Sequence, residues 1–267
     1  MTFTPPLFAV TLALYAVSCA LYLSHVVVGA GSDGVARAAR VALAVAFVAQ
    51  AIDIAWLCAH GQHPVVNARE ALFFAAWLMS GAYLGVSLRF RVPVVGALVV
   101  PAIMVLDVAA RLAPSREVVH GVSTLGVVHI VLATAGVALF AVAAGGAVIY
   151  LVEERNLKRH RAGRLFKRGP ALETLDTLNR RCIIFGFPLF TVAVITGAVW
   201  GVRLHDQLFT PQYSIATAAW LMYAVLLVAR VTAGWRGRRA AIMTLGGFAT
   251  SLTVLLIYFV RGVGAAG

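Results

Sequence analysis

The stretch LGVVHIVLATAGVALFAVAAGGAVIYLV, Leu125 to Val152, decides the fold. It contains no Asp, Glu, Lys or Arg, and its one imidazole is His129. As a helix rising about 1.5 Å per residue it outreaches a hydrocarbon core of about 30 Å. It therefore reads as a membrane span, placed at 123–152 with its polar flanks. The same ruler finds seven more, at about 6–29, 38–59, 69–88, 92–112, 182–204, 214–232 and 240–261. Composition agrees: 61% of the 267 residues are hydrophobic and 12% charged, about half the charged share of a soluble domain. Mean hydropathy is +0.92. The expected architecture is an all-α integral membrane protein of about eight transmembrane helices, with 1–267 as a single polytopic domain. The first span lacks the basic start and small-residue cleavage site of a signal peptide and is kept as a helix. Cys19, Cys58 and Cys182 are too scattered for a disulfide framework, and there is no C-x-x-C or C-x-x-C-H. That argues against thiol redox chemistry and covalent haem attachment to this chain.

The 22 Lys and Arg divide unevenly between the two sets of loops. One side collects Arg37, Arg40, Arg89, Arg91, nine residues between Arg155 and Arg181, and Arg230, Arg236, Arg238 and Arg239. The other has Arg69, Arg111, Arg116, Arg203 and Arg261. By the positive-inside rule both termini are expected outside the cytoplasm, and 153–181 becomes a basic cytoplasmic connection. The net charge of +12 thus reads as topology anchors beside anionic membrane lipid. Without interleaved aromatics it does not read as a nucleic-acid surface. Within the connection, Leu172, Leu175 and Leu178 alternate with Glu173, Asp176 and Arg180, predicting a short amphipathic helix after Gly169-Pro170.

Polar groups at bilayer depth are costly, so they mark candidate sites. His60, His63, His120, His129 and His205 fall at or near the outer face, His25 and His160 at the inner one. His129 is the deepest of the outer five. Imidazoles there suit zinc, copper or haem iron. Zinc hydrolysis would need H-E-x-x-H or an equivalent carboxylate set, which is absent. Haem needs one or two axial histidines and an apolar, aromatic cleft, for which Trp56, Trp77, Trp200, Phe209, Tyr213 and Trp220 are available. Asp107, four residues before Arg111, is expected to form an ion pair within its own helix. Asp53, two turns below His60, is placed to orient that ring, to carry a proton, or to serve as a structural cap.

Taken in order, several motifs resemble the cytochrome c assembly membrane family of CcsA, CcmC and HemX type. Gly61-Gln62-His63-Pro64-Val65-Val66-Asn67-Ala68-Arg69-Glu70 with Ala76-Trp77 resembles its G-x-x-P-x-x-N-x-x-E…W segment. His129-Ile130 leads to Tyr150-Leu151-Val152-Glu153-Glu154-Arg155-Asn156-Leu157-Lys158, similar to that family's periplasmic-histidine helix and its end. Leu172-Glu173-Thr174-Leu175, Gly186-Phe187, Thr196-Gly197-Ala198-Val199-Trp200, Ala219 to Ala224 and Gly234 to Ala240 follow in the expected order.

Departures are equally specific. Where haem-transferring members carry W-x-W-D-P-K-E-x-W, this chain has Phe209-Thr210-Pro211-Gln212-Tyr213-Ser214-Ile215. Val228 replaces an expected histidine, and the second periplasmic histidine has no counterpart. Leu204-His205-Asp206-Gln207-Leu208-Phe209 is closer to the HemX/YpjD-like branch with its degenerate tryptophan motif. The resemblance implies a haem-handling factor of cytochrome c biogenesis rather than an enzyme, in the bacterial inner membrane. Its cofactor would be haem b, with His129 as axial ligand and His205 or His63 as the second. Trp200, Phe209, Tyr213 and Trp220 would line the cleft. Apocytochrome c and an assembly subunit are the implied partners. The alternative is a HemX-like scaffold or regulator of haem metabolism, acting through the basic loop.

Overall fold

The structure, a computed structural model, describes residues 5–28, 33–60, 67–113, 123–159, 171–203 and 211–264. Within them the chain forms eight helices and no strands: α1 (Pro5–Val28), α2 (Asp33–Ala59), α3 (Ala68–Arg89), α4 (Pro93–Leu112), α5 (Thr124–Lys158), α6 (Leu172–Arg203), α7 (Pro211–Thr232) and α8 (Arg238–Gly264). All eight are long and apolar enough to cross a membrane, so the chain is a multi-pass membrane protein.

Helix starts follow local chemistry. The Asn67 side chain accepts the Glu70 backbone N–H at 3.0 Å and caps α3, and Ser123 does the same for Gly126 on α5 at 3.2 Å. Pro93 opens α4, where its missing N–H costs nothing. Three boundaries differ from the sequence reading, because hydropathy sees only apolar length. α2 begins at Asp33, taking Arg37 and Arg40 into the helix. α5 continues to Lys158, with Lys158 paired to Glu154 one turn back at 2.7 Å. The leucines at 172, 175 and 178 do not belong to a separate surface helix. They open α6, which runs unbroken into the span, and Leu175 and Leu178 are fully buried.

Packing divides the helices into two groups of four. α1 packs on α2 and α4, and α3 on α2 and α4; α5 packs on α6 and α8, and α7 on α6 and α8. The groups meet where α5 lies against α3 and α4. Since lipid tails are as apolar as leucine, helices hold together here by close approach and interhelical hydrogen bonds. The α5–α6 seam uses both. Gly136 faces the Phe190 backbone, Gly146 faces Leu178, and Gly186 faces the Phe140 ring. Phe140 stacks in turn on Tyr223 of α7, with centroids 3.7 Å apart.

Each group has a buried amide at its centre. Gln50 of α2 donates to the Phe73 carbonyl of α3 at 3.0 Å and to Asp107 Oδ1 of α4 at 2.9 Å, and accepts the Tyr15 hydroxyl of α1 at 2.5 Å. The expected Asp107–Arg111 pair does not form. Asp107 is fully buried and met by an amide from a facing helix, while Arg111, at the helix end, is exposed. In the second group Asn179 of α6 donates to the Ala143 carbonyl at 3.1 Å and to Thr244 Oγ1 at 3.0 Å, and accepts Arg230 Nη2 at 2.6 Å. Arg230 also pairs with Asp176 at 3.3 Å. An ordinary interhelical hydrogen bond in a membrane contributes about 0.6 kcal/mol, whereas stranding a buried polar partner costs about 1–3 kcal/mol. Asn179→Leu strands Arg230 Nη2 and removes one contact of Thr244, whose hydroxyl still donates to the Ala240 carbonyl at 2.9 Å. It is therefore expected to destabilise the second group by about 2 kcal/mol, measured as a lowered thermal unfolding midpoint in detergent beside a Thr232→Val control on an exposed site.

The turn from α7 to α8 is fixed by two glycines. Gly234 (φ 62°) and Gly237 (φ 64°) both adopt the left-handed backbone. Gly237 donates its N–H to Asp176 at 3.1 Å, and its missing side chain leaves room for the Tyr150 hydroxyl.

Candidate functional site

α5 begins and α6 ends at the same edge of the bundle, so the histidine near the start of one meets the last turns of the other. His129 Nδ1 lies 2.7 Å from the Ala193 carbonyl of α6. A carbonyl oxygen can only accept, so Nδ1 carries the proton and the neutral ring keeps its lone pair on Nε2. A backbone carbonyl holding one ring nitrogen of a histidine is the arrangement that orients metal-ligating imidazoles. Among the described residues Nε2 has no hydrogen-bond partner, and the ring is half-buried.

The ring fits because Gly197 lies beneath it. A Cβ there would stand 2.6 Å from His129 Cε1. The opposite contact repeats the pattern: Trp200, three residues beyond Gly197, lies on Gly126, three residues before His129, where a Cβ would stand 2.9 Å from the indole. Two antiparallel helices thus exchange rings over glycines, and His129 and Trp200 end with centroids 6.0 Å apart at 46°. Thr196 adds a hydroxyl to the Ala193 carbonyl at 3.0 Å, so that oxygen is held by donors from both helices.

The other expected site residues are distributed as follows. Tyr213, at the start of α7, places its hydroxyl on Gly201, one residue past Trp200, and borders the same edge. Trp220 does not join the group. Its indole N–H donates to Thr191 Oγ1 at 2.9 Å, and its ring stacks on Phe187. At 100° per residue, Phe187 and Thr191 lie on the side of α6 opposite Ala193, Gly197 and Trp200. His63, His205 and Phe209 lie outside the described residues, as does His120. His60 is exposed, with Nδ1 2.8 Å from the Trp56 carbonyl of its own helix, and its ring lies against Trp56. Asp53 is fully buried. Trp77 is structural: it stacks on Phe47 at 5.0 Å and donates to the Phe47 carbonyl at 3.2 Å.

Sequence reasoning missed the two glycines beneath the rings and the carbonyl that sets the tautomer. The signal for the glycines was present as matching G-x-x-aromatic spacings, Gly126 to His129 and Gly197 to Trp200. Nothing in sequence could name the Ala193 carbonyl, since it is a backbone atom reached across 64 residues.

The residues present fit an iron porphyrin. One imidazole has a fixed tautomer and a free Nε2, its ring rests on a cradle that a Cβ would fill, and an indole stands beside it. Among the described residues no group of three His, Cys, Asp or Glu side chains could hold a bare metal ion. Iron already held by a porphyrin needs only axial donors.

The family described as "Cytochrome C assembly protein" matches residues 65–265. Among curated proteins, the chain is 28% identical over 263 residues to "Cytochrome c biogenesis protein CcsA" of Gloeothece citriformis, covering 79% of this chain and 80% of the relative. It is 27% identical to the protein of that name from Prochlorococcus marinus, covering 92% and 88%. Against that of Chlamydomonas reinhardtii identity is 26%, over 70% of this chain and 56% of the relative. No solved structure matches. The matched region takes in the capping asparagine of α3, His129 with its glycine cradle, and the two-glycine turn before α8. The chain belongs to the cytochrome c assembly protein family.

Proposed function

We propose that this protein acts in cytochrome c biogenesis by holding haem b at the extracytoplasmic face, with His129 Nε2 as an axial ligand to the iron. The observation that carries this reading is the 2.7 Å contact between His129 Nδ1 and the Ala193 carbonyl, which gives the ring a tautomer and anchorage suited to a ligand. His205 or His63 supplies the second ligand. Trp200 and Tyr213 border the porphyrin, and Phe209 adds to that wall. Trp220 acts indirectly, by bracing α6 through Thr191. Bound haem supplies the vinyl groups that the cysteines of a partner apocytochrome would attack. The chain's own part is to ligate, orient and exclude water, with the axial donor tuning the iron.

Arginine on the opposite loops supports an orientation with both termini outside the cytoplasm, in a bacterial inner membrane. The altered tryptophan motif supports a HemX/YpjD-like position within the family. The partners are apocytochrome c and an assembly subunit.

Covalent haem on a reporter c-type cytochrome, read on a haem-stained gel in cells depending on this protein, tests the reading. His129→Ala is expected to abolish the signal, while neutral replacements of Arg161, Arg164, Lys167 and Arg168 leave at least half of it. The reverse pattern would favour the scaffold acting through the basic loop.

A further inference from the structure

The first group of helices encloses polar groups that haem handling at α5 and α6 does not use. Asp107 is fully buried, and its Oδ1 accepts from Gln50 while its Oδ2 has no hydrogen-bond partner among the described residues. No Lys, Arg or His pairs with it among the described residues. Two hydroxyls of this helix group are also fully buried: Thr11 Oγ1, which has no partner among the described residues, and Ser80 Oγ, within reach of the Tyr15 hydroxyl. Thr11 lies one turn from Tyr15 on α1, and Ser80 two turns from Phe73 on α3, so both face the interior that Gln50 occupies.

A bare carboxylate at this depth, met by one neutral amide, keeps an uncompensated charge. A proton on Oδ2 removes that charge and turns the oxygen into a donor, for which hydroxyl lone pairs are acceptors. Gln50 already marks Oδ1 as the carbonyl oxygen, because an amide N–H donates to it. We propose that Asp107 is a proton-binding site in the membrane interior. It takes one proton from water on Oδ2 to become the neutral acid and returns it to water. This stands apart from the haem reading.

The titratable and charged groups around it are Tyr15 from α1, Asp53 from α2, Arg69 and Glu70 at the start of α3, and Arg111 on its own helix. Arg69 is held on the Ala113 carbonyl at 2.6 Å, about 9 Å further along α4. α5 meets α4 at the other end, where Gly145 lies against Val95 and Val99.

Infrared difference spectra of the full-length protein in lipid, taken across a pH step, test the proposal. The expected result is the carbonyl band of a protonated carboxylic acid that is lost in Asp107→Asn. The band should move to higher frequency in Gln50→Leu, which removes the donor on Oδ1. Asp107→Glu, which keeps an acid should the asparagine variant not fold, is expected to retain a shifted band. Identical spectra for the wild type and Asp107→Glu would overturn the proposal. So would a band that sodium abolishes at constant pH, since the site would then take a metal cation.

Discussion

His129→Ala protein, purified from membranes of haem-replete cells, is expected to lose its Soret absorption by at least tenfold and to regain most of it in added imidazole. The loss follows from removing a ligand atom. The recovery follows from leaving a space of that ligand's own shape, above Gly197 and beneath the Ala193 carbonyl. A tenfold change corresponds to about 1.4 kcal/mol of binding, and an axial bond is expected to exceed that. The pair of measurements separates ligation from packing. If His129 merely packed against α6, alanine would leave haem content unchanged and imidazole would do nothing.

Gly197→Val is expected to have the second largest effect. Its Cβ alone would stand 2.6 Å from His129 Cε1 and 2.8 Å from Nδ1, closer than side chains tolerate, and the ring must leave the Ala193 carbonyl. Haem content should fall about tenfold although no ligand atom has been removed, a loss near 1.4 kcal/mol. Gly85→Val provides the control, because nothing lies within 4 Å of a Cβ added there; it should retain wild-type absorption. Equal losses in the two variants would mean that any glycine replacement disturbs the bundle, and the cradle would then have no special part.

Much of this structure was legible in the sequence because the bilayer imposes a length and a polarity on each segment. All eight helices lie where apolar length places them. What apolar length misses is helix that continues into water. The Glu154–Lys158 pair carries α5 past its apolar stretch, and Leu175, Leu178 and Asn179 continue α6 into polar sequence because they pack on α5 and α8. The acids were misread for a related reason. Spacing along one helix suggests Arg111 as the partner of Asp107, but the partner came from α2, 57 residues away. At the site, His129 and Trp200 were legible as polar and aromatic groups at depth. Their meeting was not, since it depends on α5 and α6 packing antiparallel with glycine opposite each ring. Trp220 shows the converse error: an aromatic at the right depth whose helix face turns it toward Thr191 and away from the histidine.

The family motifs also acquire physical roles. Asn67 caps α3, Gly186 admits Phe140, and Gly234 and Gly237 supply left-handed turns that place a backbone N–H on Asp176. Thr196-Gly197-Ala198-Val199-Trp200 is the half of the ring exchange contributed by α6.

The absorption spectrum of the intact wild-type protein, purified in mild detergent and then titrated with haem, bears most directly on ligation by His129. A Soret band with the features of histidine-ligated iron, saturating at one haem for that site, is the expected result. A protein that is colourless as purified and stays so throughout the titration would contradict it.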